Sequence, residues 1–165
     1  MDAFLAIVSK REVRSYADRP LPGDAVRRVL EAGRLAGSSK NRQQRRFVIL
    51  SDRQAIARGV YEPGNIAGAA LVVAIVTSGK GPTGLDAGRA AQNMMLAAHG
   101  EGIGSCPNGV ADREAIGAAV GVQEGEQVAT ILSFGYPAKP LRERSADEWV
   151  ASANRKPFDD VVSER

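Results

Sequence analysis

The chain has 165 residues, 44% hydrophobic and 25% charged, a composition that fits one globular domain and excludes a disordered chain. A single cysteine, Cys106, excludes an internal disulfide and every cysteine-based zinc site, and a single histidine, His99, leaves little for histidine-led metal binding or catalysis. The net charge of +3 is unevenly spread, with 13 Lys or Arg against 6 Asp or Glu in residues 1–60, so the basic half suits nucleic acid, an anionic cofactor or simply water.

In chain order, Asp2 to Lys10 reads as a short helix with Phe4, Leu5, Ile7 and Val8 inward. Asp2 stands where a secretory signal needs positive charge, and the apolar run 69–76 is far too short to span a bilayer, so a soluble cytoplasmic protein is expected. A basic segment follows and ends at Pro20 and Pro22. Asp24 opens a second helix to about Leu35, with Val26, Val29 and Leu30 on one face, and Gly37-Ser38-Ser39 stops it. The polar loop 40–46 leads into a strand, Phe47 to Leu50, a helix from Asp52 to about Val60, and a continuous apolar run, Leu71 to Thr77, of the kind found inside a sheet.

Residues 78–84 form a loop. The stretch from Asp86 to Gly109 then carries Ala90, Ala91, Met94, Met95, Ala97 and Ala98, a helix apolar around most of its circumference and so expected to be buried. Asp86 suits its positive end, and Gly100, Gly102 and Gly104 permit a sharp turn after it. A helix from about Asp112 to Val120 and a strand from Val128 to Phe134 complete the pattern before Gly135-Tyr136-Pro137. The tail is polar, with a weak helix near Trp149. No linker or repeat divides residues 1–165, which read as a single domain.

Familiar phosphate-binding and hydrolytic patterns fail. Gly100-Glu101-Gly102-Ile103-Gly104 follows a helix where a dinucleotide fold needs a strand before it, and the loop 78–84 lacks the spacing of a Walker loop. No Gly-x-Ser-x-Gly elbow occurs. The basic loop 40–46 has no interleaved aromatics, which argues against nucleic acid. His99 near the end of a buried helix reads as structural, and so do Tyr136 and Trp149.

Four segments in order nevertheless resemble the flavin-dependent nitroreductase family. Lys10-Arg11-Glu12-Val13-Arg14-Ser15-Tyr16 is similar to the family's Arg-Arg-Ser-x-Arg-x-Phe box. Residues 36–43 with Phe47 resemble Ala-Pro-Ser-x-x-Asn-x-Gln-Pro-Trp-x-Phe. Asp86 to Gly109 looks like the central helix with its Gly-Leu-Gly-Ser-Cys turn, and Gly135-Tyr136-Pro137 with Arg155-Lys156-Pro157-Phe158 looks like the family's close. Three positions depart from the pattern: Gln44-Arg45 replaces Pro-Trp, Gly37 replaces a proline, and Glu12 replaces a small polar residue near the expected phosphate. The chain is also short for the family.

The resemblance implies an α+β nitroreductase-like fold, a central mostly antiparallel sheet around a buried helix, and a homodimer with FMN in its interface. It implies hydride transfer from NAD(P)H to FMN and on to an electron-poor acceptor such as a nitroaromatic or quinone, with no catalytic side chain, metal or membrane partner. The alternative is a flavin- or deazaflavin-binding storage protein without turnover. A phosphate dianion wants guanidinium donors, for which Arg11, Arg14 and Arg155 are candidates, with Lys10 and Lys156 as point charges and Glu12 beside them. Ser38, Ser39, Asn41 and Gln43 suit the ring edge, and the N–H of Gly109 or Asn108 suits the flavin N5, since Pro107 has none. Ser38 and Asn41 would then face a flavin whose phosphate is held by the partner subunit's Arg11 and Arg14. Gln44 and Arg45 are expected in the substrate pocket.

Overall fold

The computed structural model describes residues 2–140 and 142–164; Met1, Leu141 and Arg165 lie outside the described residues. In chain order it forms α1 (Ala3–Ser9), α2 (Gly23–Arg34), β1 (Arg45–Ile49), α3 (Arg53–Ala57), α4 (Gly64–Ala67), β2 (Leu71–Ser78), α5 (Thr83–Gly100), β3 (Gly104–Asn108), α6 (Arg113–Val120), β4 (Glu126–Gly135) and α7 (Ala146–Ala151), with 3-10 turns at Ser39–Asn41 and Phe158–Asp160. α1, α3, α6 and α7 start where side-chain acceptors meet their free N–H groups. Asp2, Asp52 and Asp112 accept from Leu5, Ala55 and Ala115, and Ser145 with Glu148 makes a capping box on α7. Gly121 closes α6 in the left-handed region at φ 70°.

The sheet runs β1-β2-β4-β3 and every neighbouring pair is antiparallel, so the architecture is α+β. Seven consecutive residues of β2, Leu71 to Thr77, are buried, as its unbroken apolar run requires. Alternation along β2 builds two cores. Leu71, Val73 and Ile75 join α2 and α5 on one face, while Val72, Ala74 and Val76 join Ile56, Ile66 and Ile116 on the other. Close packing between α2 and α5 depends on Gly33, whose added Cβ would lie 2.7 Å from Met94 Sδ.

Several sequence expectations change. The stretch after α5 is not merely a glycine turn. Only Gly102 takes a positive φ there, 73°, and Gly104–Asn108 then forms β3 on β4. Pro107 fits because β3 lies at a sheet edge. The helix after Asp52 ends at Ala57, short of Val60, and a separate short helix, α4, follows it. α5 begins at Thr83, and it is buried on one side only: Leu85, Gly88, Arg89, Gln92 and Asn93 form an exposed stripe, with Leu85 64% exposed.

Two glycine and charge contacts fix the sheet's surroundings. A Cβ on Gly104 would sit 2.6 Å from Val13 Cβ, so a side chain there would push the segment 12–16 off β3. Arg46 on β1 donates to both carboxylate oxygens of Glu126 at 2.8 and 2.6 Å, across β2, and Gln123 N–H adds a third bond at 2.9 Å. The Arg46 guanidinium, helped by that N–H, holds the Glu126 carboxyl down at about 2 from an ordinary 4.5.

Gly104→Ala should lower stability by about 1–3 kcal/mol in urea unfolding, because overpacking against Val13 cannot be relieved by a flexible side chain. The Glu126 carboxyl titrates lower in the folded chain, so its contribution is complete above pH 4.5 and disappears as pH falls toward 2. The melting temperature of wild type should therefore exceed that of Glu126→Gln at neutral pH, and the gap should close across that acid window.

Candidate functional site

Residues leaving α1 run alongside β3. Glu12 bridges Ser105 in parallel, Val13 N–H donates to the Ser105 carbonyl at 3.0 Å, and Tyr16 bridges Pro137. This places Lys10, Arg11, Glu12 and Arg14 along the β3 edge. The Lys10 ammonium donates to Glu12 Oε1 at 2.7 Å and reaches Met95 Sδ at 3.5 Å. Arg11 is already engaged: it donates to the Val8 and Lys10 carbonyls at 2.6 and 3.0 Å and to the Trp149 carbonyl at 3.0 Å, with its guanidinium 4.7 Å from the Trp149 ring centroid. Arg14 is exposed and makes no ion pair among the described residues.

Beneath this edge lies a buried polar network that the sequence did not single out. The Asn108 amide donates to the Cys106 and Ile131 carbonyls at 3.0 and 3.2 Å and to Ser133 Oγ at 3.1 Å. The Tyr16 hydroxyl pairs with Ser133 Oγ at 2.9 Å, and burial raises its pKa so that it stays protonated. Cys106 faces Ser133 in the β3–β4 register, and burial pushes its thiol up, away from thiolate chemistry. These residues meet only because β3 pairs with β4, so spacing along the chain gives no signal. Asn108 Oδ1 and Ser105 Oγ remain buried without a hydrogen-bond partner among the described residues. Gly109 follows directly, its carbonyl held by Tyr61 N–H at 3.2 Å.

The second group lies on the other side of the sheet, in the loop entering β1. Lys40, Asn41 and Gln43 all take left-handed backbone, φ 51°, 52° and 54°, which side chains other than Asn and Asp disfavour. Two contacts hold the loop. The buried Asp86 carboxylate accepts from Ser39 N–H at 3.1 and 3.2 Å, and Ser38 Oγ accepts from Gln43 N–H at 2.9 Å. Asp86 thus serves this loop from the first turn of α5. The Arg89 guanidinium lies against Gly37, where a Cβ would collide with it.

Gln44 lies against Gly79, and its carbonyl accepts from Ser78 N–H at 3.2 Å. Arg45 is engaged within its own chain. Its guanidinium turns under α2 and donates to the Ala36 carbonyl and, at 3.5 and 3.4 Å, to those of Gly33 and Arg34. A cation at the negative end of a helix is favourable, which explains the choice. Arg45 Nε and Nη1 are buried with no partner among the described residues.

β1 and β3 are opposite edges of the four-stranded sheet, three strand spacings or about 14 Å apart. One chain therefore does not bring the two groups together. Arg155 and Lys156 lie in the exposed segment after α7, where Arg155 donates to the Ala153 carbonyl at 2.9 Å. His99 Nε2 pairs with Ser9 Oγ at 2.8 Å while that hydroxyl donates to the Leu5 carbonyl at 2.5 Å, so the ring N–H must be the donor and Ser9 is not activated. Burial, with the Lys10 charge, lowers the His99 pKa and keeps the ring neutral.

Arg45→Met should lower stability by about 1–3 kcal/mol through the loss of charge-assisted bonds to α2. Hydrogen exchange should quicken at the Leu35 and Ala36 amides, which close that helix; unchanged exchange there would remove the capping role.

Comparison with known proteins places this geometry. The family model described as Nitroreductase family matches residues 7–80 and 83–136. A relative from Archaeoglobus fulgidus, named "Putative NADH dehydrogenase/NAD(P)H nitroreductase", is 32% identical over 156 residues, covering 86% of this chain and 89% of its own. A nitroreductase family protein of Clostridium difficile 630 superposes with a TM-score of 0.85 at 22% identity, over 99% of this chain and 98% of that one. A protein from Desulfovibrio desulfuricans, solved in complex with FMN, gives a TM-score of 0.81 at 25% identity over 100% and 98% of the two chains. With the family model matching most of the chain and the archaeal relative 32% identical over most of both chains, the chain belongs to the nitroreductase family.

Proposed function

We propose that the protein is an FMN-dependent oxidoreductase that passes hydride from NAD(P)H to an electron-poor acceptor such as a nitroaromatic or quinone, at a site completed between two copies of the chain. The observation that carries this reading is the placement of the two sets of flavin-suited residues on opposite edges of one sheet, on a chain of this family. Two copies associating through the exposed stripe of α5 would supply both edges to one ligand. Leu85 gives that stripe apolar character.

The donor set fits the cofactor. Arg14 is an exposed guanidinium with no ion-pair partner among the described residues and suits a phosphate, while Lys10 on the same segment is paired with Glu12. Ser105 Oγ and Asn108 Oδ1, buried behind the β3 edge, have no hydrogen-bond partner among the described residues, which is consistent with a polar group of a ligand completing the site. Flavin, when bound, supplies the hydride chemistry.

The chain's own residues bind and orient. Asn108 anchors the strand end so that the Gly109 N–H is held in place. Ser38, Ser39, Asn41 and Gln43 present polar groups on a loop already fixed by Asp86, so little ordering is left for binding. Arg155 and Lys156 add positive charge from the tail. Among the described residues no helix is long and apolar enough to cross a membrane, and no cluster of three or more His, Cys, Asp or Glu could hold a metal.

The purified protein should be yellow, with about one FMN per chain, and should bleach under anaerobic NAD(P)H. Arg14→Ala should weaken FMN binding roughly tenfold to a hundredfold, the loss of one charge-assisted contact, without unfolding the chain. A colourless protein that takes up no added FMN would overturn the proposal. Bound flavin that no nicotinamide reduces would point instead to storage.

A further inference from the structure

The first box departs from the family pattern at Glu12, and the structure shows what that residue does. Glu12 is fixed through its backbone by the bridge to Ser105 and by the bond from Val13 N–H to the Ser105 carbonyl, an approach that only a glycine at position 104 allows. Its carboxylate accepts a hydrogen bond from the Lys10 ammonium at 2.7 Å. The Lys10 side chain is only 7% exposed and that of Glu12 is 35% exposed. The ammonium is therefore neutralised in a partly dry setting, where charge interactions are stronger than in water.

A phosphate approaching Lys10 meets a carboxylate bound to the same ammonium. It must either turn Glu12 out toward solvent or sit beside a like charge. Arg11 is held away from that role, because bonds to the Val8, Lys10 and Trp149 carbonyls and its place over the Trp149 ring fix the guanidinium against the protein. Among the described residues of this segment, Arg14 is the exposed guanidinium without an ion pair. A neutral hydroxyl meets none of this opposition: Glu12 Oε2, which the Lys10 bond leaves open, can accept from it.

We propose that Glu12 sets the flavin selectivity of this site: by pairing with Lys10 it withholds the ammonium from a phosphate and offers a carboxylate to a hydroxyl, so riboflavin binds on terms close to those of FMN. The inference rests on the flavin reading given above. It is separate from turnover, since it concerns only which flavin is held.

The test titrates flavin-free protein with FMN and with riboflavin, following the quenching of flavin fluorescence at low and high salt. Wild type should bind the two within about tenfold of each other. Glu12→Gln should tighten FMN about tenfold and leave riboflavin within about threefold, an effect of removing one like charge that shrinks at high salt. Glu12→Ser serves as the second variant, with circular dichroism confirming that each is folded. A wild-type preference for FMN far above tenfold, or an FMN-to-riboflavin ratio unmoved by both variants, overturns the Glu12 assignment and leaves the flavin reading standing. Folded wild type and variants that bind neither flavin overturn both.

Discussion

The double-sided burial of β2 is the constraint from which the rest of the molecule follows. Leu71 to Thr77 can be dry on both faces only if helices cover each side and strands flank both edges. Each large apolar side chain so buried contributes roughly 1.5–3 kcal/mol, and their alternation decides which helix goes where. α2 and α5 take the face with Val73 and Ile75; α3, α4 and α6 take the other. Once α5 lies across the sheet, its first turn reaches the loop before β1 through Asp86, and Met95, nearer its other end, touches Lys10. One helix thus sets the positions of both candidate binding segments.

Much of this frame is legible in the sequence because it is written in local signals. The unbroken run of β2, the one-sided apolar pattern of α2 and the alanine-methionine composition of α5 each name their element. β3 is different. Gly104-Ser105-Cys106-Pro107-Asn108 has neither alternation nor strong strand formers, and it becomes a strand only because β4 offers it partners. α4 is a single short turn whose Asn65 and Ile66 are buried by tertiary contact, again without a pattern of its own.

The site divides in the same way. The residue types suited to an anionic, planar ligand can be picked from the sequence and from family resemblance. Their engagements cannot. Arg11 and Arg14 differ by three positions and by nothing in composition, yet the first is fastened to α1 and Trp149 while the second faces solvent. Arg45 has the charge expected of a pocket residue, and nothing in the sequence shows that its guanidinium donates to the carbonyls at the end of α2. The Tyr16, Asn108 and Ser133 network has no sequence signature because its members come from three separated segments.

The left-handed loop has a consequence for how this chain can drift in evolution. Positions 40 and 43 hold a backbone shape that burdens ordinary side chains by about 1–2 kcal/mol each, and it is worst for branched ones. Asparagine, aspartate and glycine are therefore welcome there, and valine, isoleucine and threonine are shut out, whatever ligand the loop meets. Asp86, nearly fifty positions away, shares that restriction, since without its acceptor oxygens nothing comparable would hold the Ser39 amide. The two stretches are thus tied as inherited units: changes at the tip of the loop are free in side-chain chemistry but not in shape, and the anchor on α5 can vary only where the loop has found another tether.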